Sequence, residues 1–198
     1  MSDKLQETEV KLLVPDLTAL ARHIEAAGGV LTAERVLETN VRYDNEYQSL
    51  ERDGSVLRLR QDSRARLTFK QGERIVGDFG STRFEAEVEV SRFDIMEVIL
   101  SNLGYLPVWR YEKYRTTYAF MDCEIVLDEL PFGNFIEIEG EDKQIGQVIT
   151  ALDLWNATRF TVSYSVLFRR VRERLGLHFT DLTFKNFQGI EVPSETFR

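Results

Sequence analysis

Cysteine is all but missing from this chain: Cys123 stands alone among 198 residues. A single thiol excludes an intrachain disulfide and any cysteine-built metal cage. Histidine is nearly as scarce, with only His23 and His178, so a histidine-rich metal centre is excluded and neither Ser/His/Asp nor Cys/His chemistry suggests itself. His23, within Leu20-Ala21-Arg22-His23-Ile24, reads as a packed or solvated helix residue. Four prolines and twelve glycines are too few for a long unstructured linker. No apolar run reaches the length of a membrane span, and Met1-Ser2-Asp3-Lys4 does not open a signal peptide, so the expectation is a cytoplasmic protein without a membrane partner. Positive charge is short overall. The formal net charge is -8, the opposite of the basic field a nucleic-acid binder carries, so no nucleic-acid partner is expected. The phosphate-cradling loop Gly-x-x-x-x-Gly-Lys-Ser/Thr is absent as well.

What is present describes a globular protein able to bury a core, 43% hydrophobic and 29% charged. Thirteen Phe and seven Tyr favour pleated, half-buried surfaces. Hydrophobic periodicity predicts a strand over 5–14, closed by Pro15, and an amphipathic helix capped by Asp16 and ended by Gly28-Gly29. Further strands are predicted over 35–43, 56–60, 66–70 and 83–90. The glycine-rich stretch 71–81 reads as a flexible loop. A helix over 93–103 is followed by strands over 108–120, 124–130 and 134–140, then by helices over 143–154 and 162–175. The segment 177–198 is poorly patterned, with a late strand expected around 182–187.

The informative feature is charge at alternating positions, strand after strand. Glu7, Glu9 and Lys11 share one parity; so do Arg58 and Arg60, Arg66 and Lys70, Glu85, Glu87 and Glu89, Lys113 and Arg115, and Glu137 and Glu139. The intervening positions are often apolar, as at Val10 and Leu12 or Ile136 and Ile138. Successive strand side chains point to opposite faces, so each charged set projects from one face of its strand.

Two arrangements satisfy this pattern. In one, every charged face meets water while the apolar face packs on helices. In the other, the strands curl, the helices cover the outside, and the charges converge. Three features favour convergence. Several strands carry one sign only, whereas a face chosen for solubility mixes signs. Same-sign charges two residues apart repel without a compensating partner. Ser, Thr, Asn and Gln are largely missing from these positions. Converging carboxylates are hard oxygen ligands suited to Mg²⁺ or Mn²⁺, and converging Lys and Arg suit phosphate. Together they point to a metal-chelated polyphosphate.

Glu7-Thr8-Glu9-Val10-Lys11 fits the Glu-x-Glu-x-Lys pattern of the CYTH family, the triphosphate tunnel metalloenzymes. The pieces that follow keep the family's order: Leu57-Arg58-Leu59-Arg60, Thr68-Phe69-Lys70, Glu85-Ala86-Glu87-Val88-Glu89, Glu112-Lys113-Tyr114-Arg115, Leu127-Asp128-Glu129 and Phe135-Ile136-Glu137-Ile138-Glu139. The stretches from Leu103-Gly104-Tyr105 to Arg115 and from Gly133 to Glu137 look most like the class IV adenylyl cyclase branch. Two departures stand out: Gln71 separates Lys70 from Gly72, where that branch often has Lys-Gly, and a tail follows residue 175.

The resemblance implies an α+β fold, an eight-stranded antiparallel β-barrel forming a triphosphate tunnel with helices packed outside. It divides the chain into a tunnel domain over 1–175 and a tail over 176–198, expected to pack on the same domain. Glu7, Glu9, Glu137 and Glu139 are then the leading metal ligands for Mg²⁺ or Mn²⁺. Glu85 and Glu87, with Glu89, supply a further ligand or orient basic side chains. Arg58, Arg60, Lys70, Lys113 and Arg115 clamp phosphate oxygens, and Asp128 orients one of them or touches substrate. Lys11 is either a phosphate contact or, with a depressed pKa, the base that activates water. Hydrolysis of tripolyphosphate, thiamine triphosphate or a nucleoside triphosphate is the expected reaction. ATP cyclisation to cyclic AMP and pyrophosphate is the alternative, and a non-catalytic polyphosphate-binding module is the third reading. The expected partners are the triphosphate itself and, at most, a second copy of the chain.

Overall fold

The computed structural model describes residues 6–78 and 80–197. In chain order its elements are β1 (Gln6–Leu13), α1 (Leu17–Ala26), β2 (Val30–Asp44), the single turn α2 (Ser49–Arg52), β3 (Val56–Gln61), β4 (Ala65–Val76), β5 (Gly80–Val90) and α3 (Phe93–Asn102). Then come β6 (Leu106–Phe120), β7 (Cys123–Leu130), β8 (Gly133–Glu139), α4 (Asp142–Ala151), β9 (Thr158–Phe160) and α5 (Tyr164–Leu175).

The strands pair in the order β5-β4-β3-β2-β6-β7-β8-β1, and β1 pairs back onto β5. Eight antiparallel strands therefore close into a ring. The closing register runs from Gln6 opposite Phe84 to Glu9 opposite Ser81. Beyond that point β9 takes over the same edge of β1, with Lys11 opposite Phe160. A closed ring leaves few unpaired sheet edges.

Local chemistry sets the element ends. Asp16 accepts from the Ala19 N–H at 2.9 Å, which starts α1 at the residue after it. Gly28 ends the helix at φ +98°, a backbone conformation that side-chain-bearing residues adopt rarely.

Two apolar layers cover the outside, and a third, aromatic cluster fills one end of the ring. Val10, Leu12, Ile125, Leu127, Ile136 and Ile138 meet α1 and α4 through Leu20, Ile24, Ile145, Val148 and Ile149. Val41, Leu59 and their neighbours pack beneath Leu100 and Met96 of α3. An aromatic-rich layer joins Tyr111, Phe132 and Phe135 to Tyr164, Leu167 and Phe168 of α5, and to Leu182, Phe187 and Phe197 beyond it.

The structure corrects the expected pattern in four places. The stretch 71–81 is largely strand: β4 runs to Val76, turns at Gly77 and Asp78, and β5 begins at Gly80. The register shifts between Gln71 and Arg74, and Gly72 at φ +70° sits in that irregularity, so the glycine marks a bulge inside a strand. The second strand begins at Val30, five residues earlier than expected, and β9 was not anticipated. The segment around 182–187 forms only a single bridge, Leu182 beside Tyr111. That bridge fills the edge of β6 where β7 offers no partner: the Glu112 N–H donates to the Leu182 carbonyl at 2.9 Å, and the Leu182 N–H donates to the Arg110 carbonyl at 3.0 Å.

Candidate functional site

Alternation along each strand decides what faces the middle of the ring. With Ile136 and Ile138 committed to the helices, Glu137 and Glu139 face inward; with Val10 and Leu12 committed, so do Glu9 and Lys11. Register then places the inward groups side by side: Glu9 and Glu139, Lys11 and Glu137, Glu139 and Glu124, Arg115 and Asp128, Glu38 and Lys113, Arg42 and Arg58. They surround a cavity of ≈ 590 Å³ whose lining holds ten Lys and Arg against eight Asp and Glu. The lining thus concentrates basic side chains inside a chain of net charge -8.

Ion pairs run around most of the ring. Lys11 Nζ lies 2.7 Å from Glu137 and 3.6 Å from Glu9. Arg115 joins Glu137 to Asp128, at 2.7 Å to each. Asp128 also accepts from Lys113 Nζ at 2.8 Å and from the Tyr164 hydroxyl at 3.0 Å. Lys113 and Arg60 reach Glu38 at 3.6 and 3.1 Å, and Arg60 continues to Glu87 at 3.1 Å. Arg58 approaches Glu87 at 3.6 Å and donates to the Tyr111 hydroxyl at 3.4 Å. Lys70 pairs with Glu85, Arg66 with Asp62, and Arg83 with Glu9.

This network sets the protonation states. Burial alone would lift the Glu137 carboxyl, but Lys11, Lys113 and Arg115 reverse that and hold it well below the ordinary range. Burial likewise opposes charge on Lys11, yet Glu137 and Glu9 outweigh it and raise its pKa. Lys11 is therefore a cation at neutral pH, which fits a phosphate contact and not a general base. Glu139 behaves in the opposite way. Burial, then Glu124 and Glu9 beside it, push its pKa up to about 7. Lys70 is lowered by burial and by Arg58 and Arg83.

Among the described residues, no three His, Cys, Asp or Glu side chains stand close enough together to form a ready metal cage. The donor chemistry nevertheless fits a hard divalent cation: Glu9, Glu139 and Glu124 occupy one register row of carboxylates across β1, β8 and β7. Glu7 lies two positions before Glu9 on β1, but its side chain is outside the described part of the structure.

The ring brings together Glu9, Lys11, Arg58, Arg60, Lys70, Glu85, Glu87, Lys113, Arg115, Glu137 and Glu139 on the cavity wall. Asp128, with no exposed surface, stands directly behind Lys113 and Arg115. Glu89 does not join them; it meets Arg64 at 3.2 Å, and both are well exposed. Several groups escaped sequence reasoning. Glu38 and Arg42 alternate along β2 but differ in sign, so one-sign patterning passes over them, although Arg83 shares the parity of Glu85 and was open to the same reading. Tyr111, Trp109 and Tyr164 carry no such pattern, and Tyr164 arrives from the first turn of a helix.

Residues 5–160 match the family described as the CYTH domain. No curated protein matches the chain. A putative adenylate cyclase from Vibrio parahaemolyticus shares 20% identity and a TM-score of 0.69, over 82% of this chain and 97% of that one. A putative adenylyl cyclase from Hippeastrum, described as having a dominant triphosphatase activity, shares 18% identity and a TM-score of 0.64, over 82% and 95%. A chain of the Schizosaccharomyces pombe Mediator head module shares 14% identity and a TM-score of 0.63, over 79% and 98%. Likeness at these identities establishes the fold, and the spread of descriptions leaves the activity to be argued from the cavity.

Proposed function

The chain belongs to the CYTH domain family, and from that premise we propose that it is a divalent-metal-dependent enzyme that hydrolyses a triphosphate held inside the ring, used as a tunnel. One observation carries this reading: ten cations against eight carboxylates line a cavity inside a closed ring of strands in a strongly acidic protein. Basic residues kept for solubility would not gather inside a ring. An interior polyanion site accounts for them.

Arg58, Arg60, Lys70, Lys113 and Arg115 hold the phosphate oxygens. Asp128 fixes Lys113 and Arg115 from behind, so their donors are aimed before substrate arrives. Glu137 does the same for Lys11 and Arg115, and Glu85 and Glu87 for Lys70, Arg58 and Arg60. Lys11, held protonated, is a phosphate contact. Glu9 and Glu139, with Glu124 and with Glu7 from the same strand, would hold Mg²⁺ or Mn²⁺, which neutralises charge on the transferring phosphate. Positioning and neutralisation of this kind are the main demands of phosphoryl transfer.

The test is to incubate the protein with Mg²⁺ or Mn²⁺ and tripolyphosphate, thiamine triphosphate or ATP, and to identify the products. Orthophosphate with the corresponding diphosphate is expected, and EDTA should abolish its release. Cyclic AMP and pyrophosphate from ATP would replace hydrolysis by cyclisation. Tight binding with no turnover of any substrate would leave only a binding module.

A further inference from the structure

Among the described residues, nine of the ten cations lining the cavity have a carboxylate within ion-pair distance, and Arg42 has none. Its contacts are neutral: it donates to Ser165 Oγ at 3.1 Å and lies 5.9 Å from the Trp109 ring. Asp44 and Glu51 act on it from beyond ion-pair distance, and the Asp44 carboxylate is already engaged with the N–H groups of Asn45, Leu50 and Glu51. A partly desolvated guanidinium without a counter-charge is costly unless a ligand supplies the charge.

Its position says which ligand. Arg42 is the direct cross-strand neighbour of Arg58, and such neighbours sit about 5 Å apart. The next group of a phosphate chain held by Arg58 would therefore lie within reach of Arg42. The surrounding wall adds donors without opposing charge: Ser163 and Ser165, whose hydroxyls meet at 2.8 Å, and the first turn of the twelve-residue α5. Among the described residues the buried Trp109 Nε1 has no hydrogen-bond partner. An aromatic ring fits less well here, because Trp109 already stacks on Tyr111 at 4.5 Å and on Phe168 at 6.1 Å.

We propose that Arg42, with Ser163 and Ser165, forms an additional anion subsite at the α5 end of the cavity, which takes a further phosphate of a linear inorganic polyphosphate longer than three units. The inference rests on the proposed polyphosphate site and extends it from a triphosphate to a longer chain.

Calorimetric titration of EDTA-treated protein with tripolyphosphate, tetrapolyphosphate and ATP at matched ionic strength tests it. The wild-type chain should bind tetrapolyphosphate about tenfold more tightly than tripolyphosphate, the size of one charge-assisted hydrogen bond. Arg42→Gln should bring that ratio toward one, and Arg42→Lys should restore part of it. Melting curves establish that each variant is folded, and if Arg42→Gln is not, the Arg42→Lys ratio carries the comparison. A ratio near one in a wild-type chain that binds tripolyphosphate overturns the subsite and leaves the proposed function standing. So does an Arg42→Gln or Arg42→Lys variant that retains the full wild-type ratio, or a loss confined to ATP, which would assign this wall to an organic group. A wild-type chain that binds neither polyphosphate, with Mg²⁺ restored as well as without it, removes the proposed function and this inference together.

Discussion

The two walls of the ring carry similar chemistry in different surroundings. On β1, β7 and β8 the outer face lies under α1 and α4, with Ile125, Ile136 and Ile138 fully buried, and the inner face holds Asp128 with no exposed surface. On β4 and β5 the outer face is more open: Val88 is 58% exposed and Phe84 38%. Inside that wall the side chain of Glu87 keeps 29% of its surface accessible, against 12% for Glu137 on β8. The covered wall holds its charges in fixed pairs. The open wall pairs its charges too, Lys70 with Glu85 among them, but water already reaches Glu87. A site built this way has a rigid side that aims donors and a more accommodating side that receives the substrate.

The largest effects should follow the covered wall. Asp128→Ala leaves Lys113 and Arg115 without their shared carboxylate, and breaking a buried pair costs about 3–5 kcal/mol. Urea unfolding should show that loss, while Glu87→Gln on the open wall should cost about 1 kcal/mol or less. Equal losses would erase the distinction between the walls. The outer faces give a parallel contrast. Ile136→Ala should cost about 2–5 kcal/mol, and Val88→Ala no more than about 0.5 kcal/mol.

A smaller effect tests the carboxylate row. Glu139, raised to about 7, binds its proton in the folded state at pH values where the unfolded chain has released it. Between the ordinary carboxylate range and about pH 7 the folded state thus holds more protons, so this group's contribution to stability falls as pH rises through that window. In metal-free protein, Glu139→Gln should therefore melt above the wild type at pH 8, and the difference should shrink by pH 5. A difference independent of pH would mean that Glu139 is not crowded by Glu9 and Glu124.

Much of this was legible in the sequence because strand alternation is strict. Once Val10, Leu12, Ile136 and Ile138 are assigned outward, Glu9, Lys11, Glu137 and Glu139 have only one direction left. What stayed hidden depends on pairing. Glu38 and Arg42 alternate in sign along β2, and their inward role emerges only beside Lys113 and Arg58 on neighbouring strands. The glycines at 72, 77 and 80 suggested a loop, yet they fall at a bulge, a turn and a strand start within one long hairpin. Tyr164 reaches Asp128 from a helix whose own periodicity describes only its packing on the aromatic layer.

The most direct test of the interior polyanion site is the shift in melting temperature with inorganic anions at matched ionic strength. Converging cations should make tripolyphosphate stabilise the folded chain clearly, by about 2.7 kcal/mol at a hundredfold excess over its dissociation constant. Monophosphate and sulfate should do much less, and Arg58→Ala should lose most of the tripolyphosphate shift. Equal shifts from sulfate, monophosphate and tripolyphosphate, unchanged in Arg58→Ala, would contradict the account.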